Sequence, residues 1–328
     1  MDTGFWEDIH RITPVLFTLA AIMPEFASHE YWEARFQNNG SAFDWLVPAN
    51  TLCDIVRDNI DKTRLPKAEI LNVGCGTAES SAFRELVNDP EQVHNVDYSQ
   101  AAIDAAAARE KNLLQNTSSA LEETSSKRDS IQRPPLDSKQ PMRWSCLDLL
   151  SLNHTLTLLD EQRERGSLFD IVVDKSTSDS IACGSGATIR LPYLLSIEGW
   201  TRGILQSGLM QTVDIHSLHV LAVHLAAVTK PRTGKWIVVS YSDERFPFLP
   251  PYPKSVSQGF LPETVIKAGF PHPNQLWRLE TKEKIDTTGG REETLAQRKK
   301  RLSSGAVHRQ EVSHWLYVLV RTDASVTD

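Results

Sequence analysis

The run Ile70-Leu71-Asn72-Val73 ends in Gly74-Cys75-Gly76 and leads into a helix-compatible stretch over residues 77–87. A strand that closes on Gly-x-Gly and feeds a helix brings backbone N–H groups close to a ligand, because neither glycine carries a side chain to obstruct the approach. The unit opens an alternation of short β-branched runs and longer helix-compatible stretches, which is the pattern of a doubly wound α/β sheet.

Residues 92–96 form the second run, ending at Asp97 with an alanine-rich helix over 101–109 behind it; residues 142–147 form the third, ending at Asp148. Residues 169–174 read as a buried parallel strand, since the run is apolar without alternation and has polar flanks. A helix-spaced stretch over 213–228 stops at Lys230-Pro231-Arg232-Thr233-Gly234 before the fifth strand, 236–241. Two late runs, 275–279 and 315–320, suit a closing antiparallel hairpin. The expected fold is therefore α/β: a Rossmann-like, doubly wound, mostly parallel seven-stranded sheet with a C-terminal antiparallel hairpin. Residues 1–23 read as an N-terminal extension and 24–328 as one domain. Within it, 116–140 reads as a disordered Ser/Thr/Gln/Lys-rich loop and 282–309 as a charged insertion.

A net charge of -7 over 328 residues speaks against a general nucleic-acid binder, which needs an excess of Lys and Arg. Four scattered cysteines without a Cys-x-x-Cys pair signal neither disulfides nor a zinc site, and fit a reducing, cytoplasmic setting. The apolar stretch 12–23 is too short to span a bilayer and contains Pro14. His216, His219 and His224 read as helix-surface residues rather than metal ligands, and Arg298-Lys299-Lys300-Arg301 as part of a solvated charged helix. No metal site is expected.

The third glycine of a dinucleotide fingerprint is replaced by Glu79, so a nicotinamide site is incomplete. Asp97 closes the second strand about twenty residues after the turn, where a carboxylate accepts from both hydroxyls of an adenosine ribose; it would serve equally as a cap for the helix starting near Ser99. Tyr98 would pack beside it. Asp148 is placed to accept from an adenine amino group or to cap the helix beyond.

The segments 24–36 (Pro-Glu-Phe-Ala-Ser-His-Glu-Tyr-Trp-Glu-Ala-Arg-Phe) and Phe43-Asp44-Trp45, with 70–76, 96–99, 143–148 and 169–179 following in order, resemble the methyltransferase-like 13 and elongation factor 1-alpha lysine methyltransferase 4 family of class I enzymes. The resemblance spans about residues 24–241 and implies an S-adenosylmethionine-dependent methyltransferase. It implies that Trp32, Phe36 and Trp45 close over the cofactor, that Gly74 and Gly76 lie beneath it, that Asp97 and Tyr98 hold the ribose and Asp148 and Leu149 the adenine, and that Lys175 is a further contact. From the residues alone, Trp32 and Trp45 read as core aromatics and Lys175 as a solvated strand end. The family's usual Lys-Gly-Thr-Leu-Asp-Ala is here Lys175-Ser176-Thr177-Ser178-Asp179-Ser180.

Methyl transfer from a sulfonium is an in-line displacement in which the protein supplies alignment and a dry pocket. For an amine acceptor, Asp174 or Asp179 could orient the nucleophile or take up its proton, with Asp179 the catalytic candidate and a turn cap its alternative. The fourth strand lacks the Pro-Pro motif used on adenine or glutamine amides, and the resemblance implies a protein acceptor, a lysine or terminal amine of a translation factor, bordered by the loop 242–253. A small-molecule acceptor is the alternative if 187–210 forms a lid. A non-catalytic cofactor-binding role is the other, suggested by the serine-rich loop 176–180.

Overall fold

The computed structural model describes residues 25–39, 41, 46–77, 80–124, 140–193, 195, 211–285 and 313–326. In chain order these form α1 (His29–Asn38), α2 (Ala49–Asn59), β1 (Ile70–Val73), β2 (Val93–Asp97), α3 (Gln100–Thr124), β3 (Arg143–Cys146), α4 (Leu152–Glu164), β4 (Ile171–Lys175) and α5 (Thr177–Ala182). There follow β5 (Ala187–Leu191), β6 (Gln211–Ile215), α6 (Ser217–Val228), β7 (Lys235–Ser240), α7 (Glu263–Lys267), α8 (Pro273–Leu276), β8 (Trp277–Ile285) and β9 (His314–Arg321).

Seven strands make one sheet in the order β3-β2-β1-β4-β7-β9-β8, parallel apart from β9, which runs against both neighbours. The order reverses beside β1, so the crevice beyond its carboxyl end is the topological switch point where α/β folds bind ligands. The alternation of strand side chains splits the apolar residues between two faces. Leu71, Val73, Val172, Trp236 and Leu319 pack toward α4 and α6, while Ile70, Val93, Ile171, Val173 and Ile237 pack toward α2. Helices on both sides explain why 169–174 is apolar without interruption. Each such fully buried side chain is worth about 1.5–3 kcal/mol.

Several expectations need correction. The stretch after Gly76 forms a 3-10 segment, Ser80–Leu86, instead of an α-helix, because the chain turns again at Pro90–Gln92, with Asp89 as cap, to enter β2. Helix α3 runs to Thr124, so the first part of the expected loop 116–140 is helical; Ala120-Leu121-Glu122-Glu123 are good helix formers and no proline intervenes. Residues 125–139 lie outside the described residues, as do 1–24. Strand β8 continues to Ile285, taking the start of the expected charged insertion into an edge strand whose exposed face tolerates Lys and Glu; residues 286–312 lie outside the described set. Strands β5 and β6 pair as a separate antiparallel ribbon between α5 and α6.

His219 and His224 are buried in α6, not on its surface, and His216 caps the helix by accepting from Leu218 N–H at 3.2 Å. Helix α6 is apolar around almost its whole circumference and passes through the core, so histidines on any face enter it. Among the described residues no cluster of His, Cys, Asp and Glu could hold a metal, and no helix is long and apolar enough to cross a membrane.

Candidate active site

Gly74 and Gly76 both take positive φ, +58° and +54°. A side chain at Gly74 would run into Thr177, whose hydroxyl donates to the Val73 carbonyl at 3.0 Å, so this glycine lets α5 close against the end of β1. The turn is tied to β2 twice. Cys75 N–H donates to the Val96 carbonyl at 3.1 Å, and Gly76 N–H donates to Asp97 Oδ2 at 2.8 Å.

Asp97 is 5% exposed, and its other oxygen accepts from Ser99 N–H at 2.9 Å. One oxygen thus forms the turn into α3 while the other faces the glycine turn. Burial pushes its carboxyl up to about 6, against the pull of these N–H groups. A carboxylate offers about four acceptor positions, so capacity remains for hydroxyl donors of a ribose.

Helix α1 covers this crevice. Ser28 caps it, and Trp32 stacks on Phe36 at 5.7 Å. The Phe36 ring lies 3.4 Å from where a Cβ on Gly76 would project, directly over the glycine turn. The helix is pinned through Tyr98 and through Glu33, His29 and Ser99, which the sequence reading did not assign to the site. Ser99 Oγ donates to Glu33 at 2.6 Å, His29 Nε2–H donates to the Tyr98 carbonyl at 3.1 Å, and Tyr98 OH donates to the Ser28 carbonyl at 3.0 Å. Glu33 thus sits at the N-terminus of α3, where the helix dipole favours it. Trp32, Phe36, Gly74, Gly76, Asp97 and Tyr98 are brought together. Trp45 lies outside the described residues.

Beyond β3, Leu147 N–H donates to the Asp97 carbonyl at 2.8 Å, which sets Asp148 beside the crevice. Asp148 is half-buried and its Oδ1 accepts from Leu150 N–H at 2.9 Å. The Leu149 side chain joins the core on the α6 side, and its carbonyl accepts from His224 at 2.7 Å. Lys175 is no solvated strand end: its Nζ donates to the Val47 carbonyl at 3.2 Å and tethers the entry to α2.

On the far side of β4, Asp174 is wholly buried and accepts from the N–H groups of Thr177 and Ser178 and from the Ser178 hydroxyl; burial pushes its carboxyl up to about 6. Ser176 takes a left-handed φ of +67°. Asp179 Oδ1 meets Ser240 Oγ and Arg245 Nη2, both at 2.6 Å, while Oδ2 accepts from Ser176 Oγ at 2.8 Å and Tyr241 N–H at 3.1 Å. The carboxylate fastens α5 to the end of β7, with every acceptor position in use. Next to it the loop after β7 lines a cleft of about 520 Å³, with Arg245, Phe246, Pro250, Tyr252, Lys282 and Tyr317 on its walls.

No family model matches the chain. Methyltransferase srdJ of Neurospora crassa is 24% identical over 195 residues, which cover 58% of this chain and 67% of that protein. The eEF1A lysine and N-terminal methyltransferase of Mus musculus is 35% identical over 82 residues, 24% of this chain and 11% of that protein, so the match spans about a tenth of the relative's length. Among solved structures, an S-adenosylmethionine-dependent methyltransferase of Anabaena variabilis aligns over 92% of this chain and 96% of its own at 10% identity and a TM-score of 0.42. So distant a structural likeness adds no weight, and the fold rests on the strand order itself. By that topology and its curated sequence relatives, the chain is an enzyme of the class I S-adenosylmethionine-dependent methyltransferases.

Proposed function

We infer that the chain methylates an amine nitrogen of a protein, a lysine side chain being the acceptor that its likeness to the eEF1A enzyme favours. When bound, S-adenosylmethionine supplies an electrophilic methyl group on a sulfonium. Asp97 and Tyr98 would hold its ribose, Gly74 and Gly76 would lie beneath it, Asp148 and Leu149 would hold the adenine, and Trp32 and Phe36 would exclude water from above. The observation that carries the protein acceptor is exposed apolar surface beside the cleft. Tyr241, Tyr252, Val256 and Phe260 are 40%, 53%, 67% and 41% exposed along one loop segment, a surface that suits docking of a macromolecule.

Asp179 acts in this reading as a positioning residue. Saturated by Arg245, Ser240, Ser176 and Tyr241, it fixes the backbone at the end of β7 that borders the acceptor. The acceptor amine loses its proton to solvent before transfer.

The β5–β6 ribbon, inserted directly after the acceptor loop, favours a second reading, in which it forms part of a lid over a small-molecule acceptor. Labelled cofactor incubated with a cell extract, with and without prior protease treatment, separates the two. Label in intact protein, abolished by protease, supports the lysine reading; label persisting in a low-mass fraction overturns it. Tight cofactor binding without transfer would mark a non-catalytic protein.

A further inference from the structure

His224 lies in α6, 1% exposed, and bonds at both ring nitrogens to groups far away in sequence. Its Nδ1 is 2.7 Å from the Leu149 carbonyl and its Nε2 is 2.6 Å from the Tyr193 hydroxyl. A carbonyl can only accept, so Nδ1 carries the hydrogen; in the neutral ring Nε2 is then an acceptor, and Tyr193 must donate to it. Burial holds the ring neutral, pushing its pKa down to about 4. Tyr193 itself is fixed, its N–H donating to the Gly269 carbonyl at 3.1 Å and its ring meeting Phe270 edge-on at 5.0 Å.

The chain of bonds continues through one peptide unit. The Leu149 carbonyl that accepts from His224 belongs to the same peptide plane as the Leu150 N–H, which donates to Asp148 Oδ1 at 2.9 Å. A planar peptide transmits orientation from one end to the other. Tyr193, His224, the 149–150 peptide and the Asp148 carboxylate therefore form one polarised line, in which each bond strengthens the next. The line ends on Oδ1 of Asp148, so the second oxygen of that carboxylate takes no part in it.

We propose that His224 is a positioning residue for base recognition: through the 149–150 peptide it aims the Asp148 carboxylate at the exocyclic amino group of the cofactor's adenine, and Tyr193 holds its tautomer. The inference rests on the reading of Asp148 as the adenine contact.

The test measures binding of S-adenosylhomocysteine against S-inosylhomocysteine, in which the amino group is replaced by a carbonyl oxygen, by calorimetry on the full chain. The wild type prefers the adenosine compound. His224→Leu keeps much of the packing but drops the donor, and lowers that preference by about tenfold. His224→Asn, whose amide N–H stands near the place of Nδ1–H, keeps it within about twofold, and Tyr193→Phe lowers it by about threefold. A packing defect alone would weaken both ligands equally and leave the ratio untouched. Should His224→Leu fail to fold, Tyr193→Phe and His224→Asn still decide. Wild-type discrimination in Tyr193→Phe, or equal loss in the Asn and Leu variants, overturns the inference. Asp148→Asn separates the two layers: if it abolishes discrimination while the His224 and Tyr193 variants do not, only this inference fails; if it changes nothing, the adenine reading fails and takes the inference with it.

Discussion

The carboxylate of Asp97 accepts the backbone N–H of Gly76 at 2.8 Å, joining the end of β2 to the turn after β1. The same carboxyl, raised to about 6 by burial, would receive the ribose hydroxyls, which donate to its ionised form. Binding thus favours the anion. Affinity for S-adenosylmethionine is constant above about pH 6.5 and falls by up to tenfold per unit below about pH 6, as protonation competes with the ligand. Asp97→Asn weakens binding by about 100-fold at pH 7.5, the loss of two charge-assisted hydrogen bonds, and removes the slope. Calorimetry across pH 5–8 checks both; a flat wild-type profile down to pH 5 contradicts the ribose assignment.

Acid should unfold the protein through three histidines. Burial depresses His94 to about 3 and His219 and His224 to about 4, all from an ordinary 6.5. The unfolded chain therefore binds protons that the folded one refuses, and stability falls as pH drops from 6.5 toward 4. Asp97 and Asp174 work the other way: their raised carboxyls take up protons in the folded state between about pH 6 and 4, which adds stability as pH falls. With each group worth on the order of 3 kcal/mol, three histidines outweigh two carboxyls. Urea midpoints should drop between pH 6.5 and 4.5, and His94→Gln, which retains a polar group for Ser145, should remove most of the drop, because the two remaining histidines are then nearly offset by the two carboxyls. A midpoint rising across that window would reverse the ranking.

The two turn glycines should respond differently to alanine. At Gly74 a Cβ would lie 2.0 Å from Thr177 Oγ1 and the φ is left-handed, so Gly74→Ala costs about 3 kcal/mol or more, and adding Thr177→Ala recovers part of it. At Gly76 the nearest atom is the Phe36 ring at 3.4 Å, which can shift. There the strain alone costs about 1 kcal/mol, and the change registers in cofactor affinity more than in melting temperature. Equal destabilisation by the two substitutions would show that Thr177 yields freely.

The strands, the glycine turn and the acid at the end of β2 were legible because each has a local signature: apolar runs, absent side chains, a carboxylate at a fixed spacing. Residues whose role depends on distant partners were not. Nothing near His219 or His224 in sequence announces that their rings bond the Gly259 and Leu149 carbonyls, and spacing on α6 suggested a surface instead. Glu33 was likewise hidden, since its partner Ser99 lies across two strands and a turn. Asp179 was found by position, but its saturation depends on Ser240, Tyr241 and Arg245, which only the pairing of β4 with β7 brings near.

That saturation sets the last expectation. Asp179 and Arg245 side chains are 9% and 17% exposed, so removing either charge leaves the other buried without its partner. Asp179→Asn and Arg245→Met should each destabilise by about 3 kcal/mol, while the double variant loses less than the sum by about 1.5–3 kcal/mol. A carboxylate so engaged has no oxygen position left to meet the acceptor amine. Single-turnover methyl transfer by Asp179→Asn, measured where the variant is folded, should therefore slow by less than tenfold with the pH profile unchanged. Loss of a general base would cost about 10² to 10⁴ and erase the acidic limb. If that larger loss is seen, the ion pair with Arg245 must open during turnover, and Asp179 belongs to the chemistry itself.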